Sequence, residues 1–200
     1  MSKQKIAEIA KKAKQASHSL NTLTSAIKNK VLRSLAKELV LQEAGILKAN
    51  AKDVKFAKAK GLSAAMIDRL ILDAKRIRSM ASALREIASL ADPVGDVVEK
   101  RKQGKIHIKK VRIPLGVIGM IYESRPNVTV DAASLCFKSG NAIILRGGSE
   151  AFHSNTFLVR VIQSVLKKHG IDPSVVSMIP YTDRSAIKDM VVLDQYIDLV

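Results

Sequence analysis

Apolar residues over the first ninety positions recur at helical spacing. Ile27, Val31, Leu35 and Leu39 fall four residues apart, with Leu32, Ala36 and Val40 alongside, which predicts one apolar stripe on a helix. A second stripe runs Ile77, Met80, Ala81, Leu84, Ile87 and Ala88, opposite Arg78, Ser82 and Arg85. Ser63 and Asp73 stand where a side-chain oxygen would accept a free N–H of the first helical turn, so both are expected N-caps. Ala91-Asp92-Pro93-Val94-Gly95 then ends the second helix, since Pro cannot continue the hydrogen-bond ladder and Gly frees the backbone.

From there the period shortens. Val97-Val98 and Ile106, Ile108 and Val111 form two β-like runs joined around Gln103-Gly104; the second alternates apolar and basic residues, which predicts an antiparallel hairpin with one wet face. Beyond Pro114, candidate strands Val117–Tyr122, Ala142–Leu145, Val175–Ile179 and Tyr196–Val200 alternate with expected helices Val128–Lys138, Ser154–His169 and Arg184–Leu193. Apolar strands separated by helices imply right-handed crossovers and a parallel sheet with helices on both faces. The last run reads as an interior strand after which another crossover is expected, so the sequence reads as cut at Val200.

Composition narrows the partners. An apolar fraction of 47% suits a globular chain, and no apolar run approaches the roughly 20 residues of a membrane span. Residues 1–8 lack the apolar stretch of a secretory signal, and the single cysteine, Cys136, cannot close an internal disulfide. A reducing, cytoplasmic location is the simplest expectation. Of the net charge of +16, +10 lies within residues 1–60. That segment holds one aromatic residue, Phe56, and the whole chain has no Trp, so stacking on nucleic-acid bases is not indicated. The lysines read as a solvated helical surface whose field also draws anionic substrates.

Chemistry gathers at the carboxyl ends of the expected strands, where ligands bind in open α/β sheets. Tyr122-Glu123-Ser124-Arg125-Pro126-Asn127 follows the first strand, and Arg146-Gly147-Gly148-Ser149-Glu150 follows the second. The glycine pair permits close backbone approach, the helix after it is expected to offer free N–H groups, Arg146 supplies a charged donor fork suited to phosphate, Ser149 a donor, and Glu150 an acceptor for a ribose hydroxyl. The same residues also suit a plain Gly-rich connection with a surface Arg. The dinucleotide fingerprint G-x-G-x-x-G is absent; Gly116-Val117-Ile118-Gly119 lacks its later glycine and lies within a strand. Cys136 falls in a helix apolar nearly all round, without a nearby His, and reads as a packed thiol rather than a nucleophile. The four histidines show no metal-ligand spacing.

The run Arg112-Ile113-Pro114-Leu115-Gly116-Val117-Ile118-Gly119-Met120-Ile121-Tyr122-Glu123-Ser124-Arg125-Pro126-Asn127-Val128-Thr129 resembles the signature of the γ-glutamyl phosphate reductase (glutamate-5-semialdehyde dehydrogenase) family. The likeness continues through Lys138–Ala151, and includes Gly61-Leu62-Ser63, Asp68-Arg69-Leu70, Asp92–Gly95 and Thr182-Asp183-Arg184. It covers essentially the whole chain.

The resemblance implies an aldehyde dehydrogenase-like α/β fold: a helical region over residues 1–94, a hairpin over 95–113 that serves as an oligomerisation arm, and part of a Rossmann-like NADP-binding domain over 114–200. It places Arg146 at the adenosine ribose or its 2′-phosphate, with Gly147, Gly148, Ser149 and Glu150 beside it, and Thr182 and Asp183 flanking the adenine. It makes Asn127 a candidate oxyanion donor, although its spacing from Gly116 differs from that of dehydrogenase relatives. It implies NADPH-dependent reduction of γ-glutamyl phosphate to the semialdehyde in proline biosynthesis, by a homo-oligomer whose nucleophilic cysteine lies in a second domain beyond Val200, so residues 1–200 alone are expected to be inactive. The alternative is a truncated, non-catalytic protein that binds nucleotide or, through its basic surface, nucleic acid.

Overall fold

Among the described residues, 2–200 of the computed structural model, five helices precede the first strand: α1 (Ser2–Leu20), α2 (Ser25–Leu41), α3 (Glu43–Ala59), α4 (Ala64–Leu70) and α5 (Ala74–Ser89). The expected caps form. Ser63 Oγ accepts the N–H of Met66 at 3.4 Å and Asp73 Oδ1 that of Arg76 at 2.6 Å. α2 packs on α5, burying Val31, Leu32, Leu35, Ala36 and Leu39 against Ile77, Met80, Ala81, Leu84 and Ala88.

The phase of α2 differs from the expected stripe at one end. Ile27 is 40% exposed, whereas Lys28 is 1% exposed. Lys28 Nζ lies 2.9 and 3.1 Å from the carboxylate of Asp92, which also accepts from Ser25 Oγ and the Val94 N–H. Burial alone would raise the pKa of Asp92; the hydrogen bonds from Lys28, Ser25 and Val94 outweigh it and hold the carboxyl below its ordinary range. A buried ammonium is tolerable only with such a partner. The pair therefore fixes the chain where helix gives way to hairpin. Val40, at the other end of the stripe, is 39% exposed.

The hairpin is β1 (Val97–Gln103) and β2 (Ile106–Val111), antiparallel, with Lys100 opposite Lys109 and Gln103 opposite Ile106. Its expected dry face is not there: every residue is exposed except the half-buried Ile108. Among the described residues no other element covers it, so alternation in the sequence does not translate into burial.

The sheet is β3 (Val117–Ile121), β4 (Ala142–Arg146) and β5 (Val176–Met178), parallel in the order β3-β4-β5. α6 (Pro126–Lys138) crosses from β3 to β4 and α7 (Phe152–Lys168) from β4 to β5, packing on each other, while α1 contacts all three strands. β4 is buried along its whole length, as a strand covered on both faces must be. β5 is shorter than expected because Pro173–Val175 forms a 3-10 turn, although the Ile179 N–H still reaches Leu145 O. α8 (Ser185–Val191) follows.

The terminal run departs most. Tyr196 and Ile197 both turn back to Leu193 O, and strand-like pairing is limited to one parallel bridge between Ile118 and Leu199, on the side of β3 away from β4. Asp198 Oδ2 accepts the Val117 N–H at 2.8 Å and its carboxylate pairs with Lys14 at 2.7 Å. Gly116, with φ of 125°, brings the chain so close that any Cβ there would collide with Asp198.

Candidate functional site

Register decides where the site forms. Ile121 of β3 pairs with Arg146 of β4, Tyr122 N–H reaches Arg146 O, and Ile179 N–H reaches Leu145 O, so the three strands end level. Their loops, 122–125, 147–150 and 179–184, consequently share one edge of the molecule.

Side chains bind these loops together. Ser124 Oγ donates to Glu150 Oε1 at 2.7 Å, joining the first loop to the second, and Ser149 Oγ lies 3.4 Å from Oε2. Arg146, expected as a charged donor fork for phosphate, is only 7% exposed, which sets aside the alternative of a surface Arg. Its Nη2 donates to Thr182 O at 2.7 Å and Asp183 O at 3.3 Å, and its Nη1 to Gly147 O at 3.2 Å, joining the second loop to the third. Nε is buried without a partner, as is Nδ2 of Asn155. Asp183 Oδ1 accepts the Ser185 N–H, and this bond holds its carboxyl below the usual range. Packing excludes a side chain at Gly147, whereas at Gly148 only the movable Glu150 carboxylate stands in the way. A Cβ on Gly147 would meet Asn155 Nδ2 and the Tyr122 ring, and one on Gly148 would meet the Glu150 carboxylate.

One expectation is corrected here. The start of α7 was to offer free N–H groups, but Asp53 of α3 takes two of them: its Oδ1 accepts from His153 N–H at 3.0 Å and its Oδ2 from Ser154 N–H at 2.7 Å and Ser154 Oγ at 2.6 Å. Asn50 completes the network, donating to Leu70 O and Ser154 Oγ and accepting the Leu72 N–H. A carboxylate already at the positive end of the helix disfavours a second anion there. Neither Asn50 nor Asp53 stood out in the sequence, because their partners lie up to 104 positions away.

A cavity of about 380 Å³ opens between α4, α5 and the first turns of α6. Arg69, Arg76, Arg125, Asp68, Asn127 and Asp131 line it. Asn127, the expected oxyanion donor, is half-buried in the first turn of α6 and donates from Nδ2 to Asp131 Oδ2 at 3.1 Å. Burial raises the pKa of Asp131 against the lowering effect of that bond. Arg76 is held by Asp68 (main chain and Oδ1) and by Ile71 O, so its position is fixed. Nothing in the sequence indicated that Arg69, Arg76 and Arg125 share one site, because they converge only once α5 lies across α6.

Cys136 sits in α6, partly exposed, and burial pushes its thiol up to about 11. No group of metal-ligating side chains is present among the described residues.

The family model described as the aldehyde dehydrogenase family matches residues 1–200. The chain belongs to the aldehyde dehydrogenase family. Within that family the resemblance noted in the sequence holds: the chain is 52% identical to a protein of Salinibacter ruber named γ-glutamyl phosphate reductase, over 96% of this chain and 44% of the relative. The crystal structure of γ-glutamyl phosphate reductase from Thermotoga maritima superposes with a TM-score of 0.94 at 42% identity, covering 96% of this chain and 47% of that one. The chain thus spans about half the length of these relatives. A glyceraldehyde-3-phosphate dehydrogenase from Methanocaldococcus jannaschii, solved with NADP, shares the fold at a TM-score of 0.69 and 16% identity, over 98% of this chain and 40% of that one.

Members of this family use NAD or NADP, and the joined loops fit the phosphorylated ribose end of such a cofactor. Gly147 and Gly148 are buried, Ser149 beside them is exposed, and two buried donors, Arg146 Nε and Asn155 Nδ2, lack acceptors there.

Proposed function

We propose that the chain is the cofactor-binding part of a γ-glutamyl phosphate reductase, which reduces L-glutamyl 5-phosphate to L-glutamate 5-semialdehyde with NADPH and releases phosphate in proline biosynthesis. The observation that carries this reading is the joining of the loops after β3, β4 and β5 around Gly147-Gly148 through Arg146, Ser124 and Glu150. In this reading NADPH supplies the hydride. Arg146, Gly147, Gly148, Ser149 and Glu150 hold its adenosine end, and Thr182 and Asp183 border the adenine.

The cavity beneath α6 receives the acyl group. Its three guanidinium groups and two carboxylates match a substrate that carries phosphate, carboxylate and ammonium together. Asn127 stands at its wall as the donor toward the reacting carbonyl. The exposed hairpin at 95–113, with Val97, Val98, Ile106 and Val111 uncovered, is the arm through which copies of the protein associate. No helix among the described residues is long and apolar enough to cross a membrane.

Fluorescence titration of the purified protein with NADPH, NADH and a DNA duplex at two salt concentrations tests the reading. NADPH is expected to bind more tightly than NADH. Binding of neither nucleotide, together with a tighter, salt-sensitive affinity for DNA, would replace this reading with that of a basic nucleic-acid-interacting protein.

A further inference from the structure

We infer that Asn155, oriented by Tyr122 and Thr129, is a positioning residue for the Arg146–Gly148 loop and keeps a second donor ready for the carbonyl of Gly147. The inference rests on the nucleotide reading above for its consequence, though not for its geometry. Tyr122, Thr129 and Asn155 are 9%, 0% and 0% exposed and form one chain of hydrogen bonds. Thr129 Oγ1 donates to Asn155 Oδ1 at 2.9 Å. A hydroxyl has one proton, so the contact between Tyr122 and Thr129, at 2.6 Å, must have the phenol as donor. Burial pushes that phenol up to about 12, which keeps its proton in place at neutral pH.

The polarity of the chain fixes the far end. With Oδ1 taken by Thr129, the Asn155 amide presents Nδ2 to Gly147, where a Cβ would collide with it. Nδ2 is buried and has no acceptor. The Gly147 carbonyl meanwhile accepts only from Arg146 Nη1, at 3.2 Å, the long end of the usual range. Both residues of the Gly147-Gly148 peptide lack a Cβ, which removes the side-chain barrier to rotating that peptide. Rotation toward Asn155 satisfies the idle N–H and releases Arg146 Nη1 for an anionic oxygen of a phosphorylated nucleotide. Arg146 stays anchored meanwhile by Nη2 on Thr182 O. Two donors thus alternate on one carbonyl, and the buried chain from β3 holds the second at the right place.

Thr129→Val removes the relay proton at nearly constant shape, and Thr129→Ser retains it; Tyr122→Phe breaks the same chain one step earlier, should Thr129→Val fail to fold. Amide exchange at Gly148, whose N–H belongs to the same peptide as the Gly147 carbonyl, is followed by NMR without nucleotide, and NADPH affinity by fluorescence. In Thr129→Val we expect Gly148 exchange to quicken several-fold and the NADPH Kd to rise about five- to tenfold, the scale of one lost neutral hydrogen bond; Thr129→Ser returns both to near the parent values. Unchanged Gly148 exchange in the folded variants overturns the inference, as does a lowered melting temperature with exchange and Kd both unmoved. If the parent protein binds no NADPH, the cofactor reading falls, while Gly148 exchange still decides the relay.

Discussion

Asp53 and Ser154 lie 101 positions apart, yet the Asp53 carboxylate accepts both the N–H and the hydroxyl of Ser154, at 2.7 and 2.6 Å, inside the molecule. This contact is one of the ties between the helical region and the sheet, since α3 carries one partner and α7 the other. It also occupies two N–H groups at the positive end of α7, which disfavours a ligand phosphate there and leaves the exposed Ser149 as the open part of the loop before that helix.

Removal of this carboxylate should therefore loosen the two parts from each other. Asp53→Ala leaves the His153 and Ser154 N–H groups and the Ser154 hydroxyl without their acceptor, and is expected to cost about 2–4 kcal/mol of unfolding free energy. Urea denaturation measures it. A loss below about 0.5 kcal/mol, the range of an ordinary surface substitution, would mean that the network contributes little.

Arg146 tests the cofactor reading directly. Its guanidinium clamps Thr182 and Asp183 in the absence of ligand, so Arg146→Ala should weaken both nicotinamide nucleotides by disordering the third loop. If it also meets the 2′-phosphate, NADPH should lose a further 1.5–3 kcal/mol or so relative to NADH. Equal losses for the two nucleotides would restrict Arg146 to the clamp.

The buried pair Lys28 and Asp92 is expected to behave asymmetrically. Lys28→Met strands the Asp92 carboxylate, 9% exposed in its side chain, and should destabilise by about 3–5 kcal/mol. Adding Asp92→Leu removes the stranded charge, and the double variant should recover much of the loss. Because the folded Asp92 pKa is depressed, its contribution is present above the unfolded value and fades as pH falls through the folded one. The parent protein should accordingly lose this increment on acidification, and the double variant should not. Thermal melts from pH 7 to pH 3 compare them.

Lys28 also shows what sequence pattern can and cannot give. Four-residue spacing found α2 and its buried face, but it drew Ile27 inward, and the structure instead turns Lys28 in, because Asp92 waits there from 64 positions away. The strands β3 and β4 and both crossovers were legible, since apolar runs of that length between helices have few alternatives. The last strand was not: Tyr196–Val200 alternates suitably, yet its backbone is diverted to Leu193 and only Leu199 pairs. At the site, the sequence located the Arg146–Glu150 loop through its glycines and through family likeness. It missed that Arg146 faces inward, that Ser124 and Glu150 bond across loops, and that Arg69, Arg76 and Arg125 surround one cavity. Each of these depends on register between strands or on a helix crossing, which composition and periodicity do not encode.

Cys136 is the only cysteine of the sequence, and it is expected to take no part in acyl transfer. A nucleophilic thiol needs a lowered pKa from a neighbouring cation, base or helix N-terminus. Cys136 lies near the C-terminal end of α6, and burial moves its thiol the other way, up to about 11. At pH 8 almost none of it is thiolate, so iodoacetamide should modify it far more slowly in the folded protein than after unfolding in urea. The same shift carries a sign for stability. The unfolded thiol ionises near its ordinary value and the folded one only higher, so the folded state is favoured below about pH 8.5–9 and loses that advantage as pH climbs toward 11. Replacement by Ala removes the titration, and the stability gap between parent and Cys136→Ala should drift in favour of the variant over that interval. Cys136→Ser should be the less stable substitution, because it leaves a half-buried hydroxyl in need of a partner. Incubation of the chain with an acyl phosphate followed by intact-mass measurement completes the test: no acyl adduct is expected. Rapid acylation that Cys136→Ala abolishes would make this thiol the nucleophile after all.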